Sequence, residues 1–121
     1  MDAEFEFEEK TVEIREQTQD KAFILEPVGR LDSLSCREFE ARLLAALDQS
    51  GAVVVDCAAL DYVSSAGLRV LLVAAKRSRS GGGRLALAAL RDNVREVFDI
   101  SGFSAIFAIH PTVVAAVAAL A

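Results

Sequence analysis

The stretch Leu60-Asp61-Tyr62-Val63-Ser64-Ser65-Ala66-Gly67-Leu68-Arg69-Val70-Leu71-Leu72 places two serines where an apolar-periodic helix begins. Its spacing predicts a helix over 65–78, ended by the flexible turn Gly81-Gly82-Gly83. A serine at this position serves as an N-cap. It also suits phosphorylation, because the free N–H groups and dipole of a helix start stabilise a phosphate without unfolding anything. At about 100° per residue, Leu68, Leu71, Leu72 and Ala75 form the expected core stripe, with Val70 and Val73 pointing away. Ser65, Arg69, Val73 and Lys76 line one edge, the pattern of a docking strip with charge at its margins.

The flanks read as alternating strands and helices. Upstream, residues 52–55 are an apolar run that predicts a buried central strand, joined to the serines by a connection over 56–63. Earlier, Phe5, Phe7, Val12 and Ile14 alternate with charged residues, predicting one or two half-exposed strands. A turn at Thr18-Gln19-Asp20 leads to a second strand over 22–28, antiparallel to the first. Residues 29–33 read as a loop. Ser35 and Glu38 then have capping-box spacing before a helix with Cys36, Phe39, Leu43, Leu44 and Leu47 on one face, ending near Gln49 and Gly51. Downstream lie a strand at 84–88, a helix capped by Asp92 or Asn93 with Val94, Val97 and Phe98 inward, and a short strand at 107–109. A last helix opens at Pro111, with Val113, Val114, Val117 and Leu120 as its stripe. The expected architecture is an α/β domain spanning 1–121: a single-layer mixed β-sheet of four to five strands with about four α-helices.

Composition narrows the chemistry. The chain has 121 residues, 53% hydrophobic and 26% charged, the profile of a globular domain. A net charge of -5 argues against nucleic-acid binding, which needs basic surface. One histidine and two cysteines, without CxxC or HExxH, leave no metal or cofactor set. Cys36 and Cys57 read as reduced thiols of a cytoplasmic protein, and residues 1–10 lack the pattern of an export segment. Residues 100–121 carry no Asp, Glu, Lys or Arg, but Ser101-Gly102 and His110-Pro111 break the run, so no membrane insertion is expected. Asp56 and Asp61 sit near a strand end and read as turn residues, and His110 as a loop residue. A serine nucleophile would need a base, and the one histidine is far away in sequence, so the chain is not expected to be an enzyme.

Residues 62–72 resemble the signature of STAS domains, especially bacterial anti-sigma factor antagonists. Gly29-Arg30-Leu31-Asp32 resembles the GxLD loop of that family. The strand before the signature and the run Val94-Arg95-Glu96-Val97-Phe98-Asp99-Ile100-Ser101-Gly102-Phe103 also agree. The resemblance implies partner switching. The unphosphorylated antagonist binds an anti-sigma factor that is also a serine kinase, freeing a sigma factor. Phosphorylation of a serine at this helix start breaks the complex, and a serine phosphatase restores it. The usual family pattern is Asp-Ser-Ser/Thr-Gly-Leu. Aligning Gly67-Leu68 puts Ser65 at the modified position, with Ser64 as the alternative; Ser64 stands where the family has Asp, and Ala66 replaces the second serine. The expected partner-binding residues are Asp32, Ser33, Ser64, Gly67, Arg69 and Val73, with Asp32 close to Ser65. A STAS subunit of a transporter, or a scaffold subunit of a stress-signalling complex, is the alternative role. A two-component receiver domain fits poorly, since the only lysines are Lys10, Lys21 and Lys76 and none follows the last strands.

Overall fold

The computed structural model describes residues 12–81 and 83–121. The expected strands at Phe5 and Phe7 lie outside these residues. The described chain forms six strands and four α-helices: β1 (Val12–Gln19), β2 (Ala22–Leu31), α1 (Cys36–Ser50), β3 (Ala52–Asp56), β4 (Leu60–Val63), α2 (Ser65–Arg79), β5 (Arg84–Ala88), α3 (Asp92–Ile100), β6 (Ile109–His110) and α4 (Val113–Leu120). One sheet runs β1-β2-β3-β5-β6, with β4 paired to β2 off this path. Only β1 is antiparallel, in register from Val12 opposite Gly29 to Gln19 opposite Ala22. The expected turn at 18–20 lies at 20–21, because β1 runs through Gln19 and Asp20 takes the left-handed φ of 55°.

The one strand not anticipated is β4. Residues 56–63 are more than a connection: after β3 the chain turns at Cys57, and Leu60–Val63 pairs in parallel with the upper half of β2, beyond the part that β3 covers. A register shift between Gly29 and Arg30 makes room, with Gly29 at φ 107° and its N–H donating to Ala59 O at 2.9 Å. This strand delivers Ser64 to the carboxyl end of the sheet.

Helices α1, α2 and α3 supply side chains to the main core. Phe39, Leu43 and Leu47 of α1, Leu68 and Leu71 of α2, and Val94 and Phe98 of α3 close over Leu25, Leu31, Val53, Val55 and Leu87. Each such aliphatic or aromatic burial stabilises the fold by about 1.5–3 kcal/mol. A second cluster joins Ala116 and Val117 of α4 to Ile24, Val54 and Ala86. Strand residues 53 and 55 thus enter one cluster and residue 54 the other, as the period-two alternation of side chains requires.

Several expected caps and stripes are corrected. Ser35 precedes α1, but no side-chain cap bond forms and Glu38 pairs with Arg42 instead. The N-cap of α3 is Arg91, without a side-chain bond, and not Asp92 or Asn93. Pro111 stays outside α4, which Thr112 caps by accepting from Ala115 N–H at 3.1 Å. On α4, Val114 is 68% exposed, while Ala116 and Val117 are buried. The last strand is Ile109–His110, not 107–109, and Phe107 packs edge-on to Phe98 at 5.6 Å between ring centroids.

Candidate partner-docking site

Because β2 to β6 run parallel, their carboxyl ends share one rim of the sheet, and α1, α2 and α3 all start there. Hydrogen bonds tie the rim together at Leu31. Its carbonyl accepts from Ser64 N–H at 2.9 Å, so the start of α2 lies beside the loop that follows β2.

The two serines differ in what their hydroxyls do. Ser64 is extended (φ -86°, ψ 175°), and its Oγ accepts from Gly67 N–H at 3.3 Å, the N-cap arrangement. Ser65 is the first helical residue, and its side chain is exposed. Among the described residues Ser65 Oγ has no hydrogen-bond partner. Gly67 is buried in the chain itself. A Cβ there would meet Leu31 O at 2.7 Å and Leu31 Cγ and Val63 Cγ1 at 3.1 Å. Only glycine permits this approach, so Gly67 sets the depth at which the serines sit.

Asp32 is also more internal than expected. Its Oδ1 accepts from Leu34 N–H at 3.0 Å and Ser35 N–H at 3.2 Å, and its Oδ2 faces Arg30 Nε at 3.4 Å. Ser35 Oγ donates to Arg30 O at 2.8 Å and accepts from Asp32 N–H at 3.0 Å. This is why Ser35 caps nothing: its hydroxyl closes the loop backwards. Burial alone would raise the Asp32 pKa; the backbone donors at Leu34 and Ser35, then Arg30 and the Ser35 hydroxyl, outweigh it and hold the carboxyl below the usual range. Ser33 is exposed beside this network.

Along α2 the register differs from the expected stripe. Val70 is buried, at 5% exposure, with Gly67, Leu68, Leu71, Ala74 and Ala75, whereas Leu72 and Val73 are half-buried. The helix packs against α1 as well as the sheet, so its inward face is wide enough to take Val70. Val73 is therefore less exposed than expected. Arg69 and Lys76 are exposed and make no ion pair among the described residues.

Neighbouring groups brace the rim. Asp61 pairs with Arg91 at 2.6 Å, Arg91 Nε donates to Ala58 O at 2.9 Å, and Asn93 Nδ2 donates to Asp61 O at 2.8 Å. Asp56 caps its turn by accepting from Ala58 N–H at 3.1 Å. These contacts lock β4 to the start of α3. Sequence reasoning gave no role to Arg91 and read Asn93 only as an alternative helix cap, since the partners of both are about 30 residues away in the chain. It also passed over Arg30 and Tyr62. These register partners stack with the guanidinium 4.3 Å from the ring centroid, and Tyr62 is 42% exposed. His110 is half-buried in β6. Both cysteines are free. Burial, aided by the charge of Asp56, pushes the Cys57 thiol up to about 12, far from a reactive thiolate. Among the described residues no group of His, Cys, Asp and Glu is placed to hold a metal ion, and no helix is long and apolar enough to cross a membrane.

A family model for the STAS domain matches residues 13–116. The chain belongs to the STAS domain family. This STAS domain is 47% identical over 92 residues to BtrV of Bordetella bronchiseptica, a protein designated an anti-sigma factor antagonist; the match covers 75% of this chain and 79% of the relative. The fold agrees with a crystal structure of an anti-sigma factor antagonist from Mycobacterium paratuberculosis, with a TM-score of 0.81 at 21% identity over 90% of this chain and 93% of that one. A Thermotoga maritima structure described in the same terms gives a TM-score of 0.82 at 20% identity over 88% and 93%. The STAS domain described here is of the anti-sigma factor antagonist type. Its sheet has six strands where four to five were expected, the added one being β4.

Proposed function

We propose that this STAS domain, acting as one regulatory unit in the cytoplasm, binds an anti-sigma factor that is also a serine kinase, and is released when that kinase phosphorylates Ser65. The observation that carries this reading is the division of labour between the serines: Ser64 Oγ holds the cap of α2, while Ser65 Oγ stands exposed one residue later. Modifying Ser64 would remove an N-cap worth about 1 kcal/mol. Modifying Ser65 disturbs no internal contact, and the helix start tolerates the added charge.

Phosphorylation then acts on the interface rather than on the fold. A phosphate adds about -1.5 to -2 charges. Pressed against a partner it must be desolvated, and a misfit of that kind costs several kcal/mol. Arg69 lies four residues after Ser65, where side chains on a helix approach one another. It serves both states, pairing with an acidic group of the partner before phosphorylation and turning to the phosphate afterwards. A serine phosphatase returns the chain to its binding form.

The test is incubation with ATP and the anti-sigma factor kinase, followed by peptide mass mapping of wild type, Ser64→Ala and Ser65→Ala. The expected outcome is phosphate on Ser65 in wild type and Ser64→Ala, and none in Ser65→Ala. Phosphate on Ser64 alone would contradict the assignment.

A further inference from the structure

Resting on the docking role above and extending it, we propose that Leu34 is the apolar anchor with which this chain seats in an anti-sigma factor, held out for that purpose by the Asp32 network. Four large hydrophobic side chains stand exposed among the described residues: Leu34 at 74%, Tyr62 at 42%, Ile100 at 79% and Val114 at 68%. Ile100 ends α3 and Val114 lies on α4. Leu34 and Tyr62 are the two on the side of the rim, next to β2 and β4, that carries Ser64 and Ser65; Val114 belongs to the helix that follows β6 at the far edge of the sheet.

Leu34 differs from an incidental surface leucine in how its backbone is held. Its N–H donates to Asp32 Oδ1 at 3.0 Å, the next N–H to the same oxygen at 3.2 Å, and Ser35 Oγ ties the loop back to Arg30 O at 2.8 Å. A loop already fixed loses little conformational entropy when it docks, and preorganised apolar side chains of this kind make efficient binding anchors. The network uses polar groups that are partly buried to fix a leucine that nothing in the described chain covers.

The surroundings define the chemistry of the occupant. At the end of β2 that leads into this loop, the Arg30 guanidinium lies 4.3 Å from the Tyr62 ring centroid. On α2, Arg69 has no ion-pair partner among the described residues. The acidic groups of the loop and of β4 are already engaged, Asp32 within its loop and Asp61 with Arg91. Although the chain carries a net charge of -5, the part of the rim around Leu34 and α2 therefore offers apolar surface bordered by the unpaired charge of Arg69. Its complement is a protein surface with an apolar socket for Leu34 flanked by carboxylates, and that surface is assigned to the anti-sigma factor.

The experiment is calorimetric titration of the purified anti-sigma factor kinase with wild type, Leu34→Ala, Leu34→Asp, Val114→Ala and Ser65→Glu. Leu34→Ala should weaken binding at least about tenfold and Leu34→Asp about a hundredfold, with unchanged melting temperatures because the side chain is not packed. Val114→Ala removes an equally exposed apolar group elsewhere and should stay within about twofold. If both Leu34 variants bind within about twofold of wild type while Ser65→Glu binds weakly, the anchor is refuted and the docking reading stands. If wild type does not bind, both fall. The presenting role has its own readout: Asp32→Ala should accelerate amide hydrogen exchange at Leu34 and Ser35, and unchanged exchange there would overturn it.

Discussion

Asp32, which the sequence offers either as a contact or as the turn into the first helix, braces its own loop in the molecule. Its position after Gly29-Arg30-Leu31 was legible, but its hydrogen bonds to Leu34 and Ser35 depend on a loop geometry that no periodicity encodes. The brace has a pH signature. Because its folded pKa is depressed, Asp32 stabilises the native state at pH values above the unfolded carboxylate value of about 3.9. That stabilisation fades as the pH falls through the lower native value. Urea midpoints should therefore be lower for Asp32→Asn than for wild type at pH 7, and the two should converge in strong acid. A difference that persists unchanged below pH 2 would mean that the charge of Asp32 contributes nothing. Gly67 makes the opposite point. The sequence shows a glycine at a helix start, and only the packed structure shows the 2.7 Å approach to Leu31 O that excludes a side chain.

Helix α2 is the element in which the pattern was read almost correctly. Its limits follow from Ser65 and the glycine turn, but its inward face was assigned too narrowly. Gly67, Ala74 and Ala75 contribute to that face without hydrophobic bulk, so a stripe drawn through the leucines misplaces Val70. The consequence is measurable. Val70→Ala should destabilise the fold by about 2 kcal/mol, through lost burial and a residual cavity. Val73→Ala, at a half-buried position, should cost less than about 1 kcal/mol. Chemical denaturation of the two variants decides the register, and equal losses would contradict it. Strand β4 was missed for a related reason. Leu60-Asp61-Tyr62-Val63 is four residues long, with its ends buried and its middle exposed, so it lacks the alternation that marks a strand. Its pairing comes from β2, which is long enough to hold β3 and β4 one after the other.

At the scale of the whole molecule, the parallel strand order collects the functional candidates. Period-two strands and helical stripes sufficed to anticipate an α/β sheet, and the Ser-Ser-Ala-Gly-Leu motif sufficed to locate one end of it. What stayed hidden was the company the motif keeps: β4 sets Ser64 against Leu31, Arg91 and Asn93 clamp Asp61, and the loop fixed by Asp32 brings Leu34 to the same rim. Those contacts join residues from different elements, which local pattern cannot report. The rim is assembled without help from Ser65, whose hydroxyl has no partner among the described residues. A phosphate there should leave the fold unchanged and alter only what binds to it. The most direct measurement is the affinity of the purified anti-sigma factor kinase for this chain before and after stoichiometric phosphorylation at Ser65, with thermal melting of both forms recorded alongside. The account predicts binding weakened about a hundredfold, equivalent to about 2.7 kcal/mol, at an unchanged melting temperature. Equal affinities for the two forms would contradict it.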